Sequence, residues 1–229
     1  MSELMVEQWK HVFKLDPDRE LDDASLEAIC MSGTDAILVG GSSGVTYDNT
    51  VDLLARLRRY ETPCALEVTS IEAIVPGFDL YLVPIVLNAS NTDAIVGHHV
   101  EALRRYGRLL TKEAVAAEGY VIANPGCEAA KASEAKAVTA EEIAAYAQYA
   151  DRLLRLPIVY VEYSGTFGDL QAVARAKSAL TQARLFYGGG IDSAEKAALA
   201  AEAADTIVVG NVIYTSLQAA LETVRVRRM

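Results

Sequence analysis

Apolar positions along the chain follow two alternating rhythms. Short runs that are apolar on both faces, such as Ala36-Ile37-Leu38-Val39 and Ile207-Val208-Val209, are each followed by a longer stretch with apolar residues at helical spacing. The short runs cover residues 11–16, 35–40, 63–68, 80–87, 119–124, 157–163, 184–187 and 206–210. Strands of this kind belong in a parallel sheet covered by helices. The helical stretches cover 23–32, 50–59, 91–110, 139–156, 169–181, 193–203 and 212–227. Asp169, Ser193 and Thr139 stand at capping positions, and Thr139 with Glu142 spells a capping box. Eight strand units over 229 residues give a mean unit of about 29 residues, the size of a βα repeat. The alternation predicts an α/β fold, a TIM (β/α)8 barrel formed by one domain over 1–229, with no linker or low-complexity tract.

The third unit breaks the rhythm. Only ten residues, 69–78, separate Val68 from Asp79, and Pro76 and Gly77 end any helix there. A full crossover needs about a dozen residues or more. The expectation is a modified barrel lacking its third outer helix, with apolar strand surface open along one flank. Such a surface is normally covered unless something binds there, a neighbouring subunit or a displaced loop being the plainer occupants.

Composition narrows the partners. The chain is 52% hydrophobic, enough to bury a full core, and its formal charge at pH 7 is −10. That charge argues against general nucleic-acid binding and against electrostatic docking on anionic lipid, so any phosphate must be held locally. The N-terminal residues are acidic and lack a secretion-signal pattern. The longest clean apolar run, 80–87, is far short of the roughly 20 residues a membrane helix needs. Cys30, Cys64 and Cys127 are odd in number and form no CxxC pair, which fits reduced, packed thiols in an intracellular, cytoplasmic protein.

Barrel chemistry gathers at the C-terminal ends of the strands. Lys14 and Asp16 are two apart at the end of the first strand and share a face; such a pair suits a phosphate and a hydrated Mg2+, or else a buried ion pair. Gly40-Gly41-Ser42 follows the second strand and offers a hydroxyl beside a tight turn. On the sixth strand Tyr160, Glu162 and Ser164 fall on one face, three polar groups that are costly to bury without a purpose. Glu162 is the carboxylate in this run, and so the group to accept a proton from, or orient, a substrate hydroxyl. The seventh strand runs into Gly188-Gly189-Gly190 and the eighth into Gly210-Asn211, the two loops that form the recurrent phosphate site of barrels. The segment 125–138, with Lys131 and Lys136, is long enough to cover this face as a lid. His98 and His99 read as surface or capping residues, His11 as packed near the start of the first strand, and Arg225, Arg227 and Arg228 as a solvated end or a membrane-surface contact.

Lys14-Leu15-Asp16-Pro17, the stretch from Glu72 to Asp79, Tyr160-Val161-Glu162-Tyr163-Ser164-Gly165, Tyr187-Gly188-Gly189-Gly190-Ile191 and Val209-Gly210-Asn211 together resemble the geranylgeranylglyceryl phosphate synthase family, most closely its bacterial branch, the heptaprenylglyceryl phosphate synthases. The resemblance spans essentially the whole chain. It implies a Mg2+-dependent prenyltransferase, acting as a homodimer. The reaction joins the C3 hydroxyl of sn-glycerol 1-phosphate to a long polyprenyl diphosphate and releases diphosphate. Carried over by motif, Lys14, Tyr160, Val161, Glu162, Tyr163, Ser164, Gly165, Gly190, Gly210 and Asn211 would hold glycerol phosphate, and Asp16 and Ser42 the Mg2+. Tyr160 and Glu162 become the catalytic pair, and Ala102, after the fourth strand, a small residue at a tail-length gauge. Two rival readings stand beside it. A sugar-phosphate isomerase or epimerase would use the same glycines and Glu162 but leaves the shortened third unit unexplained. A non-catalytic lipid-binding protein would use the flank but leaves Lys14, Asp16 and Glu162 idle.

Overall fold

Eight parallel strands form and close on themselves in sequence order, β1 (His11–Leu15), β2 (Ala36–Val39), β3 (Cys64–Glu67), β4 (Leu80–Val86), β5 (Val115–Ile122), β6 (Ile158–Glu162), β7 (Arg184–Gly188) and β8 (Thr206–Val209), the last pairing with the first. The computed structural model describes residues 5–228, and side chains for 6–226. The first four residues of the acidic N-terminus and the side chains of Arg227 and Arg228 lie outside the described residues.

The double-sided apolar character of the strands produces two cores. Inward residues, among them Val12, Leu38, Leu82, Ile158, Phe186 and Val208, fill the barrel. Outward residues such as Phe13, Ile37, Leu66, Val159 and Ile207 pack beneath the helices. The helices are α1 (Asp23–Cys30), α2 (Tyr47–Leu57), α3 (Gly97–Tyr106), α4 (Glu128–Ser133), α5 (Ala140–Gln148), α6 (Leu170–Ser178), α7 (Ala194–Ala203) and α8 (Leu217–Thr223). All three expected caps form: Asp169 accepts from Gln171 and Ala172, Ser193 from Lys196, and Thr139 and Glu142 close a reciprocal capping box.

Between β3 and β4 there is a single 3-10 turn, Ile71–Ala73, so the third outer helix is missing as expected. Elsewhere the helical stretches are more broken than their periodicity implies. In 91–110, Asn91 accepts from the amide of Asp93 and diverts the chain into a 3-10 turn, Thr92–Ala94, before α3 starts. Stretch 139–156 continues from α5 into a π-helical turn, Tyr149–Leu154. In 212–227 a 3-10 turn, Asn211–Tyr214, precedes α8, which starts at its own cap, Ser216. Strand β5 begins four residues earlier than expected, at Val115 rather than 119, and so carries Glu118 inside the barrel wall.

Candidate active site

Lys14 rises from β1 inside the barrel, and its Nζ donates to Oε2 of Glu67 on β3 at 2.5 Å. Burial alone would lower the Lys14 ammonium, but the attraction of Glu67, then of Glu162 and Glu118, outweighs it and shifts it upward, so Lys14 is a cation. The ammonium sits 6.0 Å from the ring centroid of Tyr160. Tyr160 is buried and stacks on Tyr120, with ring centroids 4.6 Å apart and planes at 21°. The Tyr120 hydroxyl donates to Oε2 of Glu162 at 2.7 Å. Burial and then the charge of Glu162 push the phenols of Tyr120 and Tyr160 well above their ordinary value, so both are neutral hydroxyls.

Tyr160 and Glu162 thus share the inward face, as their spacing predicts, and Glu162 is only 4% exposed. Ser164 lies past the strand end, where Asn124 donates to its carbonyl at 2.6 Å. Val161 and Tyr163 do not join them. Val161 belongs to the core between barrel and helices, and Tyr163 packs against that core with its ring 6.2 Å from Tyr187. Alternation turns these two side chains away from the barrel mouth, leaving only their backbone to it. Gly165 and Gly190 have φ of +85° and +56°. A side chain at Gly190 would collide with the backbone of Thr166 and Phe167, so the loops after β6 and β7 interlock through that contact.

Asp16, past the end of β1, is anchored by its backbone amide, which donates to the Tyr214 hydroxyl at 2.8 Å, and Oδ1 accepts from the amide of Asp18 at 3.0 Å. Burial raises its carboxyl despite that hydrogen bond. Gly41 is what lets β2's loop pass: a Cβ there would lie 2.5 Å from Asp16 Oδ1. Ser42, next in the chain, is exposed. Across the mouth, Asn211 accepts at Oδ1 from Arg19 at 3.1 Å, and the Arg19 guanidinium lies 3.7 Å over the Tyr214 ring. Gly210 packs beside Lys14, whose carbonyl would lie 3.6 Å from an added Cβ, an ordinary van der Waals contact.

A cavity of about 1040 Å³ joins this mouth to the flank. Lys14, Ser42, Glu67, Glu162 and Ser164 line its polar end, and Val83, Ile85, Val115 and Ala117, the outward face of β4 and β5, line its apolar end. The shortened third unit leaves that face uncovered, and Val96 with His99, Ala102 and Leu103 of α3 forms the far wall. Ala102 is 5% exposed and projects only a methyl group into this wall. His99, read from sequence as a surface or capping residue, instead reaches the Pro84 carbonyl at 2.8 Å from within the groove wall. The 125–138 segment closes one side through α4, with Ala129, Ala132 and Ser133 on the cavity, and Asn88 clamps its end by donating to the carbonyls of Ile122 and Lys136.

Glu67, Glu118, Tyr120 and Arg19 stand in or beside the site without a motif in the sequence that singles them out. Glu67 and Tyr120 lay in recognised strand runs, and parity with Lys14 and Tyr160 would have turned them inward. Arg19 carries no periodic signal. The three cysteines are free thiols, and burial pushes Cys30 to about 11 and Cys64 to about 12. His11 is buried between the hydroxyls of Thr34 and Thr223.

Known proteins match along almost the full length. The chain is 54% identical over 220 residues to heptaprenylglyceryl phosphate synthase of Geobacillus kaustophilus, covering 96% of this chain and 92% of that one. Among solved structures it resembles (S)-3-O-geranylgeranylglyceryl phosphate synthase from Thermoplasma acidophilum, crystallised with its substrate sn-glycerol-1-phosphate. That match has a TM-score of 0.83 at 23% identity and covers 96% of each chain. It also resembles the Thermoplasma volcanium enzyme, with a TM-score of 0.86, 23% identity and coverage of 98% and 96%. At these identities the two structures speak for the barrel fold. The PcrB family model matches residues 4–227, and the chain belongs to the PcrB family.

Proposed function

We propose that this chain is a prenyltransferase that joins the C3 hydroxyl of sn-glycerol 1-phosphate to a long polyprenyl diphosphate, heptaprenyl (C35), forming an ether and releasing diphosphate. The observation that carries the reading is the continuous cavity from the polar mouth, with Lys14 and Glu162, to the apolar flank left by the missing third helix. A sugar-phosphate isomerase has no use for such a wall, whereas each CH2 of a tail buried there is worth about 0.8 kcal/mol. The 54% identity to a heptaprenylglyceryl phosphate synthase supports the same substrates.

In this reading Lys14 takes the glycerol phosphate together with backbone amides around Gly190, Gly210 and Asn211, and the segment Tyr160 to Gly165 shapes the pocket. Glu162, held by Tyr120, orients the C3 hydroxyl and accepts its proton as the ether bond forms. Stacking against Tyr120 keeps the Tyr160 ring fixed beneath the Lys14 ammonium. Asp16 and Ser42 fit Mg2+: both are hard oxygen donors beside the mouth, and the space kept by Gly41 leaves the Asp16 carboxylate accessible. Among the described residues no cluster of three His, Cys, Asp or Glu side chains is placed to hold a metal unaided. That suits an ion completed by water and diphosphate oxygens. When bound, Mg2+ supplies positive charge against the departing diphosphate.

Among the described residues no helix is long and apolar enough to cross a membrane. We read the enzyme as a cytoplasmic homodimer that collects its lipid substrate by transient contact at the membrane surface; the exposed Val100 and Leu103 on α3 and Val96 just before it, beside the groove, favour that contact. The function is tested by following labelled glycerol 1-phosphate into an organic-soluble ether in the presence of Mg2+. Its absence with every prenyl diphosphate from C20 to C40 rejects it.

A further inference from the structure

Glu118 is fully buried on β5, and among the described residues neither of its carboxyl oxygens has a hydrogen-bond partner. Oε1 of Glu67 is likewise without one, while its Oε2 holds Lys14. The two glutamates sit on either side of β4, Glu67 level with Leu82 and Glu118 level with Pro84, two residues apart on one inward face. Burying a polar group without a partner is costly, and an apolar residue would fill the space at no such cost. Among the described residues the titratable groups that act on Glu118 belong to the site: Lys14 on β1, Glu67 on β3, and Tyr160 and Glu162 on β6. Burial, then the charge of Glu67, push the Glu118 carboxyl well above its ordinary value, and the opposing pull of Lys14 does not reverse this. Burial raises the Glu67 carboxyl too, but the Lys14 ammonium in direct contact pulls it down, so of the two carboxyls Glu118 is held further above its ordinary value and is the readier to keep its proton. One O–H donor without an acceptor and one carboxylate oxygen without a donor therefore share the enclosed interior.

We propose that Glu118 is a positioning residue for Lys14: as the ammonium turns from Glu67 toward a substrate phosphate, the acid form of Glu118 donates to Glu67 Oε1 and keeps that buried carboxylate solvated. Lys14 has two anionic claimants, the carboxylate below and the phosphate above. With no donor to replace it, the ammonium is held back by Glu67, or Glu67 must take up a proton from water for the phosphate to bind. This inference rests on Lys14 being the phosphate ligand.

The test is calorimetric titration of sn-glycerol 1-phosphate into the full chain, Glu118→Gln and Glu118→Leu, in two buffers of different ionisation enthalpy at pH 7. Steady-state kinetics and thermal melting accompany it. The Gln amide still donates, so E118Q keeps wild-type affinity within about threefold. E118L binds at least about tenfold more weakly, as loss of a hydrogen bond to a buried carboxylate requires, and takes up protons on binding. Its KM for glycerol phosphate rises while kcat is maintained and the melting temperature is not lowered. Wild-type affinity with no proton uptake in E118L overturns the inference, as does an E118Q variant that binds as weakly as E118L. A wild-type chain that binds no glycerol 1-phosphate instead overturns the reading of the site, and the inference with it.

Discussion

The Tyr120 hydroxyl donates to Glu162 Oε2 at 2.7 Å, and both side chains are buried on neighbouring strands of the barrel. Two residues far apart in sequence thereby form one unit: the phenol fixes the carboxylate that we propose faces the glycerol hydroxyl. Tyr120→Phe removes the donor and nothing else of size. We expect kcat to fall about 10- to 100-fold, the worth of a hydrogen bond to a buried charge, with the thermal melt shifted by only a few degrees. Unchanged turnover in steady-state assays would remove Tyr120 from the mechanism.

Asp16→Asn keeps the shape of the mouth and its hydrogen bond from the amide of Asp18 but removes the charge. The Mg2+ concentration for half-maximal turnover should rise at least about tenfold, because the site offers few other charged oxygens. A magnesium titration identical to wild type would place the ion elsewhere.

Ala102 tests the groove. Its small side chain sits in the α3 wall of the cavity, so Ala102→Trp should block the path of a long tail and shift preference toward C20 diphosphate. Competition between C20 and C35 diphosphates reads this directly, and an unchanged product ratio would show that the tail runs by another route.

The frame of the barrel was legible because strands buried on both faces leave uninterrupted apolar runs, and the ten-residue gap after Val68 announced the missing helix. The placement of Lys14, Asp16, Ser42, Tyr160, Glu162 and Ser164 on the inward face of a strand or just past its end was legible too, from strand alternation and strand ends, while their roles remain those proposed above. Glu118 was hidden for the opposite reason. It stands just ahead of the apolar run 119–124, outside the strand expected from the sequence, and only the extension of β5 back to Val115 turns it into the barrel. Val161 and Tyr163 came in with a contiguous motif, whereas strand alternation sends their side chains into the outer core. The breaks within the long helical stretches depend on local side-chain hydrogen bonds, such as that of Asn91, which periodicity does not register.

Away from the site, Asp151 on the π-helical turn accepts from the amides of Thr181, Gln182 and Ala183 and from the Thr181 hydroxyl. Burial alone would raise this carboxyl, but these donors hold it below the usual carboxylate range. A depressed folded value means stability that is present above the unfolded pKa, near 4, and is lost as pH falls through the folded one. Asp151→Asn should therefore cost about 2 kcal/mol at pH 7, less in acid, and flatten the acid limb of stability measured by urea unfolding between pH 2 and 7. Parallel curves for the two proteins would rule out this role.

In the proposed reaction one cavity takes a phosphate-bearing glycerol at its polar end and a long apolar tail along its flank. Turnover of labelled sn-glycerol 1-phosphate with equimolar C20 and C35 diphosphates in the presence of Mg2+, with the products resolved by mass, tests it most directly. The expected product is an organic-soluble glycerol phosphate ether dominated by the C35 species. Label that stays in the aqueous phase with both diphosphates would contradict it.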